Sequence, residues 1–244
     1  MGILYVVATP IGNLEDITLR ALRILKEVDL ILCEDTRTTK KLLERYNIGT
    51  KTLSYHQHSD ETKVNQVISL IGEGKNLALV TDAGTPGISD PGGVLIAAAL
   101  RAGVHIESVP GPSALTAAIS VAGVPLDKFL FLGFLPHKKG RQTLLKKIAE
   151  SEYPVILYES VHRINKLLAE LLELERSRLN SLGGGYQVIL FRELTKKFET
   201  VYRGTVEEVK NQLKPEETKG EFVVIITKNL KLPPKADRPM AEKT

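Results

Sequence analysis

At 244 residues, with 43% apolar and 25% charged side chains, the chain suffices for one large domain or two ordinary ones and has the make-up of a globular protein with a proper core. No apolar run approaches the ~20 residues that span a bilayer, and no basic region or cleavage site precedes the first strand-like run, so neither a membrane anchor nor a signal peptide is expected. A net charge of +4 permits a nucleic-acid partner without demanding one, and a single cysteine, Cys33, excludes an intramolecular disulfide, which suits a reducing cytoplasm.

Ile3–Val7 is an apolar, β-rich run, stopped by Ala8-Thr-Pro-Ile-Gly-Asn-Leu14, in which Thr9, Pro10, Gly12 and Asn13 are turn formers. Thr18 reads as the N-cap of a helix to Val28, with Leu19, Leu22, Ile24 and Leu25 at helical spacing. Asp29–Cys33 reads as a second strand that delivers Glu34-Asp-Thr-Arg-Thr38 to the same edge as the first loop. There Asp35 or Thr36 either caps the next helix, through Leu42, Leu43 and Tyr46, or lines a ligand site. His56 and His58 form a His-x-His pair, but no third or fourth ligand stands near them in sequence, and no metal is expected.

After a helix over Asp60–Glu73, Leu77–Val80 is a continuous apolar run suited to a strand buried on both faces. It opens into Thr81-Asp-Ala-Gly-Thr-Pro-Gly-Ile-Ser-Asp-Pro-Gly-Gly93, with four glycines and two prolines, ahead of a helix over Val94–Arg101 that Pro91 would open. An ordinary βα turn needs about two to six residues and this one is about twice as long, which favours a binding loop. Its glycines let backbone approach a ligand, and in an open α/β sheet ligands bind at the carboxyl ends of strands. The strand His105–Val109 leads into Pro110-Gly-Pro-Ser113 and a small-residue helix, Ala114–Val121, with Ser113 placed to cap it or to hold a polar ligand edge.

Strands alternating with helices imply a mostly parallel, doubly wound sheet over residues 1–120, with Gly123–Asp127 as a linker. The pattern then restarts with strands at Phe129–Phe134, Val155–Tyr158, Gln187–Phe191 and Phe222–Thr227, and helices at Thr143–Glu150 and Ile164–Leu174. This second α/β domain, residues 121–229, lacks the βαβ rhythm and predicts a mixed sheet, with a ligand cleft between the domains. Residues 230–244, with three prolines and many charges, are expected to be disordered.

Three charged clusters end inferred strands of the second domain: Pro136-His-Lys-Lys-Gly-Arg141, Tyr158-Glu-Ser-Val-His-Arg163 and Arg192-Glu-Leu-Thr-Lys-Lys-Phe-Glu199. Each alone is a solvated turn. Three at strand ends suggest a basic wall for nucleic-acid phosphates, with Lys138, Lys139, Arg141, Arg163 and Lys197 as the holding groups.

Neither Gly-rich loop is a dinucleotide fingerprint or a P-loop. Ala8–Leu14, Cys33-Glu-Asp-Thr-Arg37, Ser54-Tyr-His56, Asp82–Pro86 with Ser89–Gly92, Val109–Ala114, Gly133-Phe-Leu-Pro136, Tyr158-Glu-Ser160 with His162-Arg163, and Arg192–Lys196 nonetheless form an ordered set over residues 3–227. That set closely resembles the S-adenosylmethionine-dependent tetrapyrrole methylase superfamily, and within it the small-subunit ribosomal RNA methyltransferase I family. The resemblance implies two α/β domains with the cofactor between them, a homodimer, and 2′-O-methylation of a cytidine in the decoding centre of 16S rRNA, in the small ribosomal subunit. It carries S-adenosylmethionine contacts onto Pro10, Gly84, Thr85, Pro86, Ile88, Ser113, Ala114, Tyr158 and Arg192. Proton handling and ribose positioning fall, unranked, to Glu34, Asp35, Arg37, Glu159, Glu193 and Lys196.

The chain departs from that family at Val161, where proline is usual, and in a longer Glu175–Gly185 connection, and the C-terminal helical segment of many members is not expected after the last strand. Two rivals stand beside this reading: a tetrapyrrole C-methyltransferase and a non-catalytic RNA-binding module. The charged second-domain loops and low aromatic content tell against the first, and an intact central loop against the second.

Overall fold

The computed structural model describes residues 1–56, 61–90, 92–179, 185–214, 217 and 220–228, and the side chains of 177–179 are not among what it describes. The chain divides into two compact units, Met1–Ser113 and Ala114–Thr244. His58, the Gly183–Gly184 stretch and the expected disordered tail lie outside the described residues.

In the first unit, β1 (Ile3–Val7), β2 (Leu30–Cys33), β3 (Thr52–Ser54), β4 (Leu77–Leu79) and β5 (His105–Val109) form one sheet in the order β3-β2-β4-β1-β5. Every pairing is parallel. Its central strands carry almost nothing but Leu, Ile, Val and Ala because both faces are covered. On one face lie α1 (Leu19–Glu27) and α2 (Thr36–Arg45), through Ala21, Ile24, Leu25, Leu42 and Leu43; on the other, α3 (Glu61–Gly72) and α4 (Gly92–Arg101), through Val67, Ile71, Leu95 and Ala99. Thr18 starts α1 as expected, its hydroxyl accepting from the Ala21 N–H at 3.1 Å. The neighbouring strands β1 and β4 therefore send their chains to opposite faces. That makes a topological switch point at the carboxyl edge, where such sheets bind ligands.

The second unit contains α5 (Ala114–Ser120), β6 (Leu130–Phe134), α6 (Arg141–Glu150), β7 (Val155–Ser160), α7 (Ile164–Leu179), β8 (Gln187–Arg192), β9 (Thr200–Thr205), α8 (Val206–Gln212) and β10 (Glu221–Thr227). The strand order is β6-β7-β10-β8-β9, with β6–β7 parallel and the remaining pairs antiparallel, the mixed sheet that the sequence predicts. Leu157, Val188, Leu190, Val224 and Ile226 face α6, α7 and α8 in one core, and α5 lies against β10. Helix α7 runs to Leu179, beyond the expected Leu174, and β9 and α8 are additions to the sequence reading. Arg203 and Gly204 break the apolar character of β9, so only its ladder to β8 reveals it. The Thr205–Glu208 capping box that opens α8 is a signal the sequence does carry. Among the described residues no helix is long and apolar enough to cross a membrane.

Candidate functional site

Three loops meet at the carboxyl edge of the first sheet. Thr9, just after β1, and Gly84, after β4, exchange both backbone hydrogen bonds, at 2.9 and 3.0 Å. The buried Thr9 hydroxyl donates to the Thr81 carbonyl at 3.0 Å, and the Thr85 hydroxyl to the Pro112 carbonyl in the loop after β5, also at 3.0 Å. Gly84 and Gly87 stand at φ +88° and +89°, the left-handed region that glycine enters without cost. A Cβ on Gly111 would lie 3.1 Å from that of Ala8, so glycine there lets the loops after β1 and β5 close up. Pro10, Gly84, Thr85, Pro86, Ile88 and Ser113 are thus brought to one edge, as the sequence reading expects. Ala114 opens α5, and Tyr158 and Arg192 belong to the second unit.

Four carboxylates gather at the same edge. Asp35 caps α2, accepting from the Arg37 N–H at 2.8 Å, and its second oxygen meets the Arg37 guanidinium at 2.8 Å. That pairing holds its carboxyl down to about 2. The Asp35 N–H donates to Asp82 Oδ1 at 3.0 Å. Burial pushes the Asp82 carboxyl up, the Asp35 N–H works against it, and the Asp35 charge adds to it. Burial likewise raises Glu34, helped by the charges of Asp82 and Asp90 and opposed by His56. Asp90 Oδ1 accepts from the Gly87 and Gly92 N–H groups at 2.6 and 3.1 Å, while its Oδ2 is buried with no partner among the described residues. Glu34, Tyr55, Thr81, Pro86 and Asp90 line a cavity of about 10 Å³, room for roughly one water. Sequence reasoning passed over Asp82 and Asp90 as site residues, although both sit in the loop it singled out.

In the second unit β6, β7 and β8 run in one direction, so the three charged clusters do share a sheet edge. Their residues have different fates. Arg141 is only 3% exposed and grips Glu170 of α7 with Nε at 3.0 Å and Nη2 at 2.6 Å, while Nη1 donates to the Pro136 carbonyl at 3.3 Å. Arg163 is 13% exposed; its Nε meets Glu159 at 2.8 Å and its Nη1 donates to the Leu135 carbonyl at 2.6 Å. The expectation that Arg141 and Arg163 hold RNA phosphates is therefore corrected: both guanidiniums are spent on the carboxylates of Glu170 and Glu159 and on fixing the loop after β6. Glu170, on the helix, carries no local signal that would have marked it as the partner of Arg141.

The same network corrects Glu159, which is fully buried and so cannot meet a ribose hydroxyl. Lys196 lies 3.0 Å from Glu193 and 2.8 Å from Glu221. Burial would lower its pKa, but the two carboxylates outweigh burial and hold the ammonium above its ordinary value, which disfavours the neutral amine that a base requires. Burial would raise Glu193, but the Glu221 N–H and Lys196 outweigh it and keep that carboxylate below its usual range. Lys138, Lys139 and Lys197 remain exposed, with no carboxylate paired to them among the described residues. The Tyr158 hydroxyl accepts from the Leu115 N–H at 3.1 Å, and its ring packs on Phe131 and Phe134 at 5.1 and 5.5 Å.

Residues 3–210 match the family described as Tetrapyrrole (Corrin/Porphyrin) Methylases. A ribosomal RNA small subunit methyltransferase I of Halalkalibacterium halodurans is 44% identical over 229 residues, 93% of this chain and 76% of that protein. One of Thermotoga maritima is 42% identical over 227 residues, 93% of this chain and 99% of that protein. In fold the chain is similar to a uroporphyrin-III C-methyltransferase from Thermus thermophilus, with a TM-score of 0.62 and 22% identity over 92% of this chain and 94% of that one. It is similar also to a cobalt precorrin-4 methyltransferase, with a TM-score of 0.66 and 20% identity over the same shares.

Proposed function

The chain belongs to the tetrapyrrole (corrin/porphyrin) methylase family, on its ribosomal RNA small subunit methyltransferase I branch, and we propose that it methylates the ribose 2′-hydroxyl of a cytidine in the decoding centre of 16S rRNA. The observation that carries this reading is identity with relatives of that name along nearly the whole chain.

The carboxyl edge of the first sheet fits S-adenosylmethionine. A Cβ on Gly87 would meet nothing within 4 Å, so the loop stands open there, and Glu34, Asp82 and Asp90 supply the negative field that a sulfonium and an ammonium require. Pro10, Gly84, Thr85, Pro86, Ile88 and Ser113 would hold the cofactor, with Ala114, Tyr158 and Arg192 as further proposed contacts. When bound it supplies a methyl group on positively charged sulfur, an electrophile that needs no activation by the protein.

The protein's work is then alignment, worth up to about 7–11 kcal/mol in favourable systems, and removal of one proton. Glu34 is our proton acceptor, at its carboxylate. Burial and its acidic neighbours raise its basicity, while Asp35 is too weak a base and is committed to Arg37. The exposed Lys138, Lys139 and Lys197 hold RNA phosphates. The same reading has the protein acting in the cytoplasm as a homodimer. The outward face of α4, where Val94 is 61% and Leu100 63% exposed, suits a second copy, which sedimentation would detect.

The test is methyl transfer from radiolabelled S-adenosylmethionine to small ribosomal subunits from cells lacking the enzyme, with naked rRNA in parallel. Label in 2′-O-methylcytidine is expected. No label on either, despite measurable cofactor binding, would sink the rRNA reading and favour a porphyrin-like small molecule.

A further inference from the structure

The second-sheet edge presents two aromatic rings to solvent. Phe134, the last residue of β6, is 48% exposed, and Phe198, in the loop after β8, is 66% exposed, whereas Phe191 and Phe222 are buried in the same sheet. Exposed phenylalanines forgo the burial that stabilises a fold, and single ones need no explanation. These two differ in their setting. Lys138 and Lys139 stand on the loop that Phe134 opens, and Lys197 Nζ lies 5.9 Å from the Phe198 ring centroid.

The ring of Phe134 and the backbone at Phe198 are also held in place. One side of Phe134 rests on Tyr158, with ring planes at 60°. Its following carbonyls, of Leu135 and Pro136, receive Arg163 and Arg141. The Phe198 carbonyl receives Arg192 Nη1 and the Thr200 hydroxyl, both at 3.2 Å, beyond a turn in which Glu193 and Thr195 stand at φ +53° and +64°. Exposed aromatic faces beside unpaired cations are what single-stranded nucleic acid needs: a platform for the base and a charge for the phosphate. The strands β7 and β10 separate β6 from β8, so the strand ends from which the two ring-bearing loops spring stand roughly 14 Å apart along the edge. Two loops on separate strands suit two separate bases.

We propose that Phe134 and Phe198 are stacking platforms for two separate unpaired bases of the RNA substrate, with Lys138, Lys139 and Lys197 on the adjoining phosphates. This rests on the RNA reading above. The full chain is titrated with a fluorescein-labelled unstructured RNA 12-mer and with a hairpin of matched sequence, across a series of KCl concentrations. Phe134→Leu and Phe198→Leu should each weaken single-strand binding roughly 5- to 150-fold and leave the salt slope unchanged. Phe198→Trp should restore it, and each Lys→Ala should lower the slope by about 0.7. Thermal melts confirm folding, and both leucine changes are at solvent-facing rings.

The proposal is overturned if the leucine variants bind the single strand like the parent, if they weaken the hairpin equally, or if the parent binds no single strand at low salt. It is also overturned if they lose methyl transfer to subunits with RNA affinity intact, since the rings would then meet a protein. Parent activity on subunits with indifferent leucine variants removes this inference alone. Ring-dependent RNA binding with no methyl transfer removes the enzymatic reading alone.

Discussion

Thr9 and Gly84 are 75 residues apart in sequence, yet they exchange both backbone hydrogen bonds and so lock the loop after β1 to the loop after β4. The lock sits at the switch point of the first sheet, and the conformation of Gly84 makes it possible. Gly84→Ala would put a Cβ at φ +88° and 3.4 Å from Ile11 Cγ2. A side chain there costs about 1–2 kcal/mol. Urea unfolding should show that loss, and calorimetry should show weaker binding of S-adenosylmethionine than the stability change alone explains. Parental stability in this variant would mean that the loop relaxes at no cost.

Arg141 is a structural cation. Arg141→Ala removes the buried cation that grips Glu170 and leaves the buried Glu159 to Arg163 alone, and breaking a buried pair costs up to about 3–5 kcal/mol. Lys138→Ala on the adjacent loop should change stability by less than about 0.5 kcal/mol. Scanning calorimetry separates the two. The salt slope of RNA binding separates them in the other direction, since only the lysine contributes to it.

Asp82 gives a pH signature. Its folded pKa lies above the ordinary 3.8, because burial and the Asp35 charge outweigh the Asp35 N–H, so folding shifts its equilibrium toward the neutral form. Relative to Asp82→Asn, the parent is therefore fully stable below 3.8 and loses ground as pH rises through the folded value. The asparagine keeps an oxygen for the Asp35 N–H while removing the buried charge. Urea midpoints between about pH 3 and 8 should coincide at the acid end and favour the variant at neutrality. Midpoints that coincide throughout would show that Asp82 is ionised at no cost.

Asp35 behaves with the opposite sign. Its carboxyl falls from 3.8 to about 2 on folding, so its stabilisation is complete above 3.8 and disappears as pH falls through about 2. Asp35→Asn should be less stable than the parent at neutrality, and the difference should close on acidification. A gap that persists at the acid end would assign the effect to capping geometry.

Glu34→Gln should reduce methyl transfer by roughly 10²- to 10⁴-fold while cofactor and RNA affinities stay within a few-fold. The acid limb of the parent's pH–rate profile should vanish with it. Lys196→Arg, which keeps the cation between Glu193 and Glu221, should retain activity. If it abolishes the chemistry with binding intact, Lys196 and not Glu34 handles the proton.

The first sheet and its loops were legible in the residues themselves. Apolar runs at Ile3–Val7 and Leu77–Leu79, the hydroxyl of Thr18 and the glycines at 84 and 87 act through propensity, capping and backbone freedom, which are local and so are written locally. The carboxyl edge they build follows from alternation alone. The basic residues of the second half were not legible in this way. Lys138, on the loop after β6, and Arg141, at the start of α6, stand three places apart, and sequence gives them the same character. One is buried and the other exposed because Glu170, 29 residues on, meets only the first. Likewise Lys196 is a fixed cation because β10 begins at Glu221 beside it. Whether a charge faces solvent or a buried partner depends on which distant segment folds against it, because desolvation and pairing, not residue type, set its energy. The chain itself therefore dictates where its loops gather, and tertiary structure alone decides which of their charges are left free to meet RNA.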